Sequence, residues 1–243
     1  AAFVTGLEPG TSYSYRVQLD GEVLDADTDL VLRTAGLPSF TFLAIGDTGA
    51  GTREQQLLAE RMQREQQAAL LVHTGDVAYP SGFYEAYENR YFDYYHSLMR
   101  RVPFFPCPGN HDYYDTRANP YIAVHDLPVE GVTPRDHGRY YSFDWGDAHF
   151  ISLDSNEPLT EAANGSGDML RWLEEDLAAT KKFWRIVFFH HPPYAFGPNS
   201  GEIESARVRA HIVPILERYG VPLVLNGHEH SYQRTHPIHG CTY

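Results

Sequence analysis

VPLVLNGHEH, Val221 to His230, is an apolar run that stops on a glycine and two histidines one residue apart. In extended backbone, residues i and i+2 point to the same face, so His228 and His230 stand side by side where the run ends. Alone, such an ending reads equally as a histidine-rich loop or as the edge of a metal pair. The same form recurs upstream. FTFLAIGD ends on Asp47, ALLVHTGDVAY on Asp76 and Tyr79, VPFFPCPGNHD on Asn110, His111 and Asp112, and WRIVFFHH on His190 and His191.

Between these runs lie stretches of helical character: Glu54 to Gln67, Tyr84 to Met99, Met169 to Thr180 and Glu204 to Gly220. Leu170, Leu173 and Leu177 hold helical spacing. RYYSFDWGDAHFISLDS reads as a hairpin turning at Trp145, Gly146 and Asp147. Strand–helix alternation of this kind implies an α/β core with strands largely covered by helices. The first 38 residues differ. TSYSYRVQL alternates Tyr13, Tyr15, Val17 and Leu19 with polar neighbours, which predicts a strand after the Pro9-Gly10 turn. The phrase LEPGTSYSYRV is similar to the late strands of fibronectin III-like domains. Residues 1–38 are therefore expected to be the C-terminal remnant of such a sandwich, and 39–243 the main domain, cut short at its end.

The chain has 243 residues, with 19 Lys and Arg against 32 Asp and Glu, a net charge of −13. That balance argues against nucleic acid and anionic membranes as partners, but not against a phosphate ester, because metal charge outweighs the global field locally. No apolar run reaches the roughly 20 residues of a membrane span, and AAFVTGL has no signal-peptide character. Cys107 and Cys241 make no disulfide framework and no thiolate zinc site, and are expected to be independent small residues.

In open α/β sheets the carboxyl ends of strands meet in one crevice, so the polar endings can gather there. Glycine beside each is expected to let the backbone turn sharply. Each Gly-Asp or Gly-His alone is an ordinary turn. Five in order, all drawn from metal-ligating types, imply a shared metal site.

The ordered set GDTG, GDVAY, GNHD, HHP and GHEH resembles the calcineurin-like metallophosphoesterases and, within them, the purple acid phosphatases. The resemblance covers residues 40–243. Gly49 stands where other phosphoesterases of that superfamily have a histidine, and Tyr79 supplies a phenol that they lack. The fold implied is an α/β/β/α sandwich with mixed sheets. The resemblance assigns Asp47, Tyr79 and His230 to one ion, Asn110, His190 and His228 to a second, and Asp76 to both. Hard anionic oxygens suit Fe³⁺, and two imidazoles with an amide suit Zn²⁺, Fe²⁺ or Mn²⁺. In HHPP, the family spacing selects His190 over His191.

The resemblance further implies that His111 faces the substrate phosphate. Asp112 either orients His111 or caps the loop. Asn199 occupies the place of a family histidine and can donate a hydrogen bond but not a proton. Protonation of the leaving group would then rest mainly on His111, or activated esters would be favoured. The implied activity is release of phosphate from small-molecule phosphomonoesters by a metal-bound hydroxide. Phosphodiester or phosphotriester hydrolysis is the runner-up, and a non-catalytic metal-binding module is a rival of another class. The family also implies a secreted or periplasmic location. The remaining histidines (His73, His96, His125, His137, His149, His211, His236 and His239) read as structural.

Overall fold

The computed structural model describes residues 4–24, 30–37, 39–114, 117–156 and 166–243. Its first part holds two short antiparallel pairs: β1 (Ser12–Ser14) with β4 (Val31–Arg33), and β2 (Gln18–Leu19) with β3 (Glu22–Val23). The single strand expected over TSYSYRVQL is thus broken. Leu30 is the only buried residue among the described residues before Phe40, so this segment has little core of its own. The Tyr15 hydroxyl ties it to the rest of the chain by donating to the Arg100 carbonyl at 2.6 Å.

From Thr41 on, two sheets form. β5 (Thr41–Ile45), β6 (Ala68–His73) and β7 (Phe104–Pro106) make a parallel three-stranded sheet. β8 (Tyr141–Trp145), β9 (Ala148–Ser152), β10 (Trp184–Phe188) and β11 (Leu223–Leu225) make a four-stranded sheet, parallel except for the β8–β9 hairpin. The hairpin closes with Trp145 opposite Ala148, as the sequence predicts.

Alternation along the central strands produces the layers. On β9 and β10, Ala148, Phe150, Ile186 and Phe188 enter one apolar cluster, whereas Ile151, Val187 and, just past β10, Phe189 enter another. The first cluster fills the space between the sheets and continues to the helices that cover the parallel sheet. There Phe105 stacks on Phe143 at 3.9 Å and Phe42 meets Phe150 edge-on at 5.3 Å. Each such pair contributes about 0.5–1.5 kcal/mol beyond its buried area. The second cluster is closed by α6 (Ser166–Ala179), α7 (Ile203–His211) and α8 (Val213–Arg218). On the far side of the parallel sheet lie α1 (Arg53–Gln63) and the helical stretch α2 (Tyr84–Tyr87), a π-helical turn (Glu88–Phe92) and α3 (Asp93–Met99). The order α/β/β/α follows.

Two predicted helices differ in detail. The stretch from Glu204 to Gly220 divides into α7 and α8, because Pro214 in the first turn of α8 lacks an amide proton and cannot continue the ladder. In the tyrosine-rich stretch, Tyr87, Tyr91 and Tyr95 are fully buried at intervals of four, which makes them the core-facing stripe. Cys107 and Cys241 are both buried and free.

Candidate metal centre

β5, β6, β7, β10 and β11 are parallel within their sheets, and each is followed by one of the polar endings. The structure brings Asp47, Asp76, Tyr79, Asn110, His190, His228 and His230 into one cluster. Donor atoms of Asp47, Asp76 and His190 lie within 4.8 Å of one another, as do those of His190, His191 and His228. Burial is graded: His190 is fully enclosed and the His230 side chain is 62% exposed. A cavity of about 1020 Å³ runs along β5 and β11 and meets the cluster on its Asp47 and His230 side.

Gly75, at φ 93°, takes a sharp turn itself as expected, but the glycines at the other endings play a different part. At Gly227 the turn falls on the next residue, His228 (φ 75°), and the glycine provides room, since a Cβ there would sit 2.6 Å from Asp47 Oδ2. Gly49 is tighter still: a Cβ would approach the Val77 carbonyl oxygen to 2.0 Å. The Tyr79 amide donates to the Gly49 carbonyl at 3.0 Å. The absence of a side chain at 49 and the presence of the phenol at 79 are therefore one packing arrangement.

Counting protons shows what the cluster lacks. Tyr79 has one hydroxyl proton and three acceptors around it: Asp76 Oδ2 at 2.9 Å, His230 Nε2 at 3.0 Å and Asp47 Oδ1 at 3.4 Å. His190 Nδ1 faces the Thr74 carbonyl at 2.8 Å and donates to it, so in the neutral ring, the form that binds a metal, Nε2 carries a lone pair. His228 Nε2 faces Glu202 Oε2 at 2.8 Å and donates to it, so its Nδ1 carries a lone pair too. Those two lone pairs face each other at 3.1 Å, with Asn110 Oδ1 2.9 Å from His190 Nε2. Acceptors packed on acceptors require a positive charge between them. The donor set fits a cation.

The titration tendencies agree. Burial opposes ionisation of Asp76, but the His190 charge and its hydrogen bond prevail and hold the carboxyl well below the usual range. Burial alone would lower His190, yet Asp76 and Asp47 bring it up to about 9, so a proton there partly supplies the missing charge. Burial, then the Asp76 and Asp47 charges, push the Tyr79 phenol far above its ordinary value, so a phenolate requires a cation beside it. Asp76 also faces both ways. Its Oδ1 accepts the His111 amide at 2.9 Å and lies 3.5 Å from His190 Nε2, while Oδ2 accepts from Tyr79.

The other predicted residues are placed as follows. His111 is held through Nδ1 by the Pro80 carbonyl at 2.6 Å, with Nε2 3.9 Å from Asp76 Oδ2 at the cluster's edge. Asp112 is not its partner. The buried Asp112 carboxylate accepts from the amides of Val77 and Gly109 and from the Tyr87 hydroxyl, which is the loop-capping alternative. Burial, aided by Asp76, pushes Asp112 up to about 6. The Asn199 amide donates to the His228 carbonyl at 3.0 Å and so braces a clustered residue. His191 sits 2.9 Å from Ser155 Oγ, and burial beside His190 and His228 keeps it neutral. The residues that sequence reasoning missed are the backbone carbonyls of Thr74 and Pro80, which carry no sequence signal, and Glu202, which lies outside every motif.

The sequence profile of the calcineurin-like phosphoesterase family matches residues 40–232. The chain belongs to the calcineurin-like phosphoesterase family. This calcineurin-like phosphoesterase is 27% identical to mouse acid phosphatase type 7 over 96% of its own length and 56% of the relative's. It is 25% identical to purple acid phosphatase 23 of Arabidopsis thaliana over 98% of its length and 58% of the relative's. A purple acid phosphatase from yellow lupin seeds shares its fold, with a TM-score of 0.79 at 17% identity over 96% of this chain and 46% of that one. The chain thus spans about half the length of these relatives. Membership implies a metal cofactor and phosphoester hydrolysis as the family's chemistry.

Proposed function

We propose that the chain is the catalytic part of a dinuclear, purple acid phosphatase-like hydrolase that releases phosphate from small phosphomonoesters. Asp47, Tyr79 and His230 would hold Fe³⁺; Asn110, His190 and His228 would hold Zn²⁺, Fe²⁺ or Mn²⁺; Asp76 would serve both. The observation that carries this reading is the proton deficit, with two imidazole lone pairs facing each other at 3.1 Å and one phenol proton shared among three acceptors. When bound, the ions supply charge neutralisation for the phosphoryl oxygens and acidify a water.

The chain's own residues do the rest. Because His111 Nδ1 is committed to Pro80, a proton on its Nε2 makes the ring an imidazolium at the cluster's edge, able to bind phosphate and then protonate the departing alcohol. Asn199, engaged with the His228 carbonyl, gives no proton. The reaction needs no nucleophilic side chain, and Asp112, turned inward, takes no direct part.

The test is metal analysis and a visible spectrum of the wild-type protein and Tyr79→Phe, with turnover of p-nitrophenyl phosphate against the bis-ester. Two ions per chain, a visible band that Tyr79→Phe loses, and preference for the monoester are expected. His111→Ala should cut turnover by about 10²–10⁴-fold. Metal-loaded protein that releases no phosphate from either ester overturns the proposal, and preference for the bis-ester reassigns the substrate class.

A further inference from the structure

Every polar atom of His228 is engaged. Its amide donates to the Asp47 carboxylate at 2.9 Å, its carbonyl accepts from Asn199 at 3.0 Å, its Nε2 meets Glu202 at 2.8 Å and its Nδ1 meets His190 Nε2 at 3.1 Å. The first two contacts fix the main chain. The ring retains a choice, because a neutral imidazole carries its proton on either nitrogen. With the proton on Nδ1, His228 donates to His190 Nε2 across the 3.1 Å gap. That tautomer satisfies the pair internally and uses both of the lone pairs that a cation needs. With the proton on Nε2, both lone pairs stay free. A carboxylate only accepts hydrogen bonds, so Glu202 selects the second state.

We propose that Glu202 is a positioning residue that keeps His228 in the Nε2–H tautomer and thereby holds the His190–His228 pair open for a divalent ion. The inference rests on the metal-dependent reading above and adds a residue outside every motif. Glu202 is well placed for the task. It stands just before α7, at the end of the segment from Pro192 that also carries Asn199, and its side chain is 41% exposed. Among the described residues, the basic side chain that its carboxylate meets is the His228 ring, so the pairing is with that ring specifically.

Two measurements on Glu202→Ala and Glu202→Gln test it. The first is retention of each ion against a competing chelator. Glu202→Ala should weaken retention of one ion about 10–100-fold, the usual effect of losing a ligand's carboxylate partner, and leave the other unchanged. Glu202→Gln, whose amide oxygen still accepts, should fall between. The second is ¹⁵N NMR of the histidine rings in metal-free protein, at a pH high enough to leave both His190 and His228 neutral: Nε2–H at His228 in the wild type, moving to Nδ1–H in Glu202→Ala. Thermal melts confirm that the variants fold. Wild type that holds two ions beside a Glu202→Ala that holds both equally well, or an unchanged tautomer, overturns the proposal. Wild type that binds no ion at all instead overturns the metal-dependent reading on which it rests.

Discussion

Four of the clustered residues, Asp47, Asp76, His228 and His230, have φ of 56°, 54°, 75° and 46°, in the left-handed region. Side chains other than glycine, and to a lesser degree Asn and Asp, occupy that region at a cost of about 1–2 kcal/mol. The strain is concentrated where side chains must point inward from the tip of a strand, which is how backbone strain is distributed at functional sites. His230 allows a clean measurement because its ring is 62% exposed and little packing is lost on truncation. In metal-free protein, His230→Gly should be more stable than His230→Ala by about 1 kcal/mol, the reverse of their order in a helix or strand. For a chain of this size that is a difference of about 2–4 °C in the melting midpoint. An alanine variant that melts at or above the glycine variant would remove the strain from the account. The identity of these residues was legible in the sequence; their conformation was not, because a Gly-Asp or Gly-His pair looks the same whichever member makes the turn.

At the scale of elements, the hairpin β8–β9 is fastened to α6 by His149, which reads as structural in the sequence. Its Nδ1 lies 2.7 Å from Asp144 Oδ1 on β8 and its Nε2 2.7 Å from Asp176 Oδ2 on α6. One neutral ring has one N–H, so two carboxylates at these distances require the imidazolium. Burial works against that charge, but the hydrogen bonds to Asp176 and Asp144 outweigh it and raise the pKa above the ordinary 6.5. A histidine with a raised folded-state value adds stability that is fully present below the unfolded value of 6.5 and is lost as pH climbs through the folded one. The margin of wild type over His149→Gln in melting temperature should therefore be greatest below pH 6.5 and shrink above it. A margin that widens with pH would mean the ring is neutral between its two acids. Periodicity made β8, β9 and α6 visible in the sequence, but not this fastening. It depends on which residues of a hairpin and a distant helix face each other, and on pairing register, which no local pattern encodes.

For the molecule as a whole, strand–helix alternation disclosed an α/β core with one crevice, and the resemblance, not the pattern, supplied the division into two sheets. The reason is physical. Strands buried on both faces read as continuous apolar runs, so Phe188 and Phe189 look alike in sequence although they enter different clusters. What unites the two sheets at their carboxyl ends is the cluster itself, fed by β5 and β6 from one sheet and β10 and β11 from the other. There His228 from one side gives its amide to Asp47 from the other at 2.9 Å, and His190 approaches Asp76 to 3.5 Å. Without a cation, this junction places the Asp76 carboxylate close enough to raise the cost of ionising Asp47, on top of the burial that already raises it. A cation bound only by the folded state adds RT ln(1 + [M]/Kd), about 2.7 kcal/mol at a hundredfold excess over Kd. Because ligands come from both sheets, that energy resists their separation and should appear as a single cooperative shift. Chelation should therefore lower the melting midpoint of the wild type by about 5–10 °C. Asp76→Asn, whose amide bridges two ions poorly, should melt near the chelated wild type and respond little to chelator. A wild-type midpoint that does not move on chelation, in protein shown to have carried metal, would mean that the ions sit on a junction already closed without them.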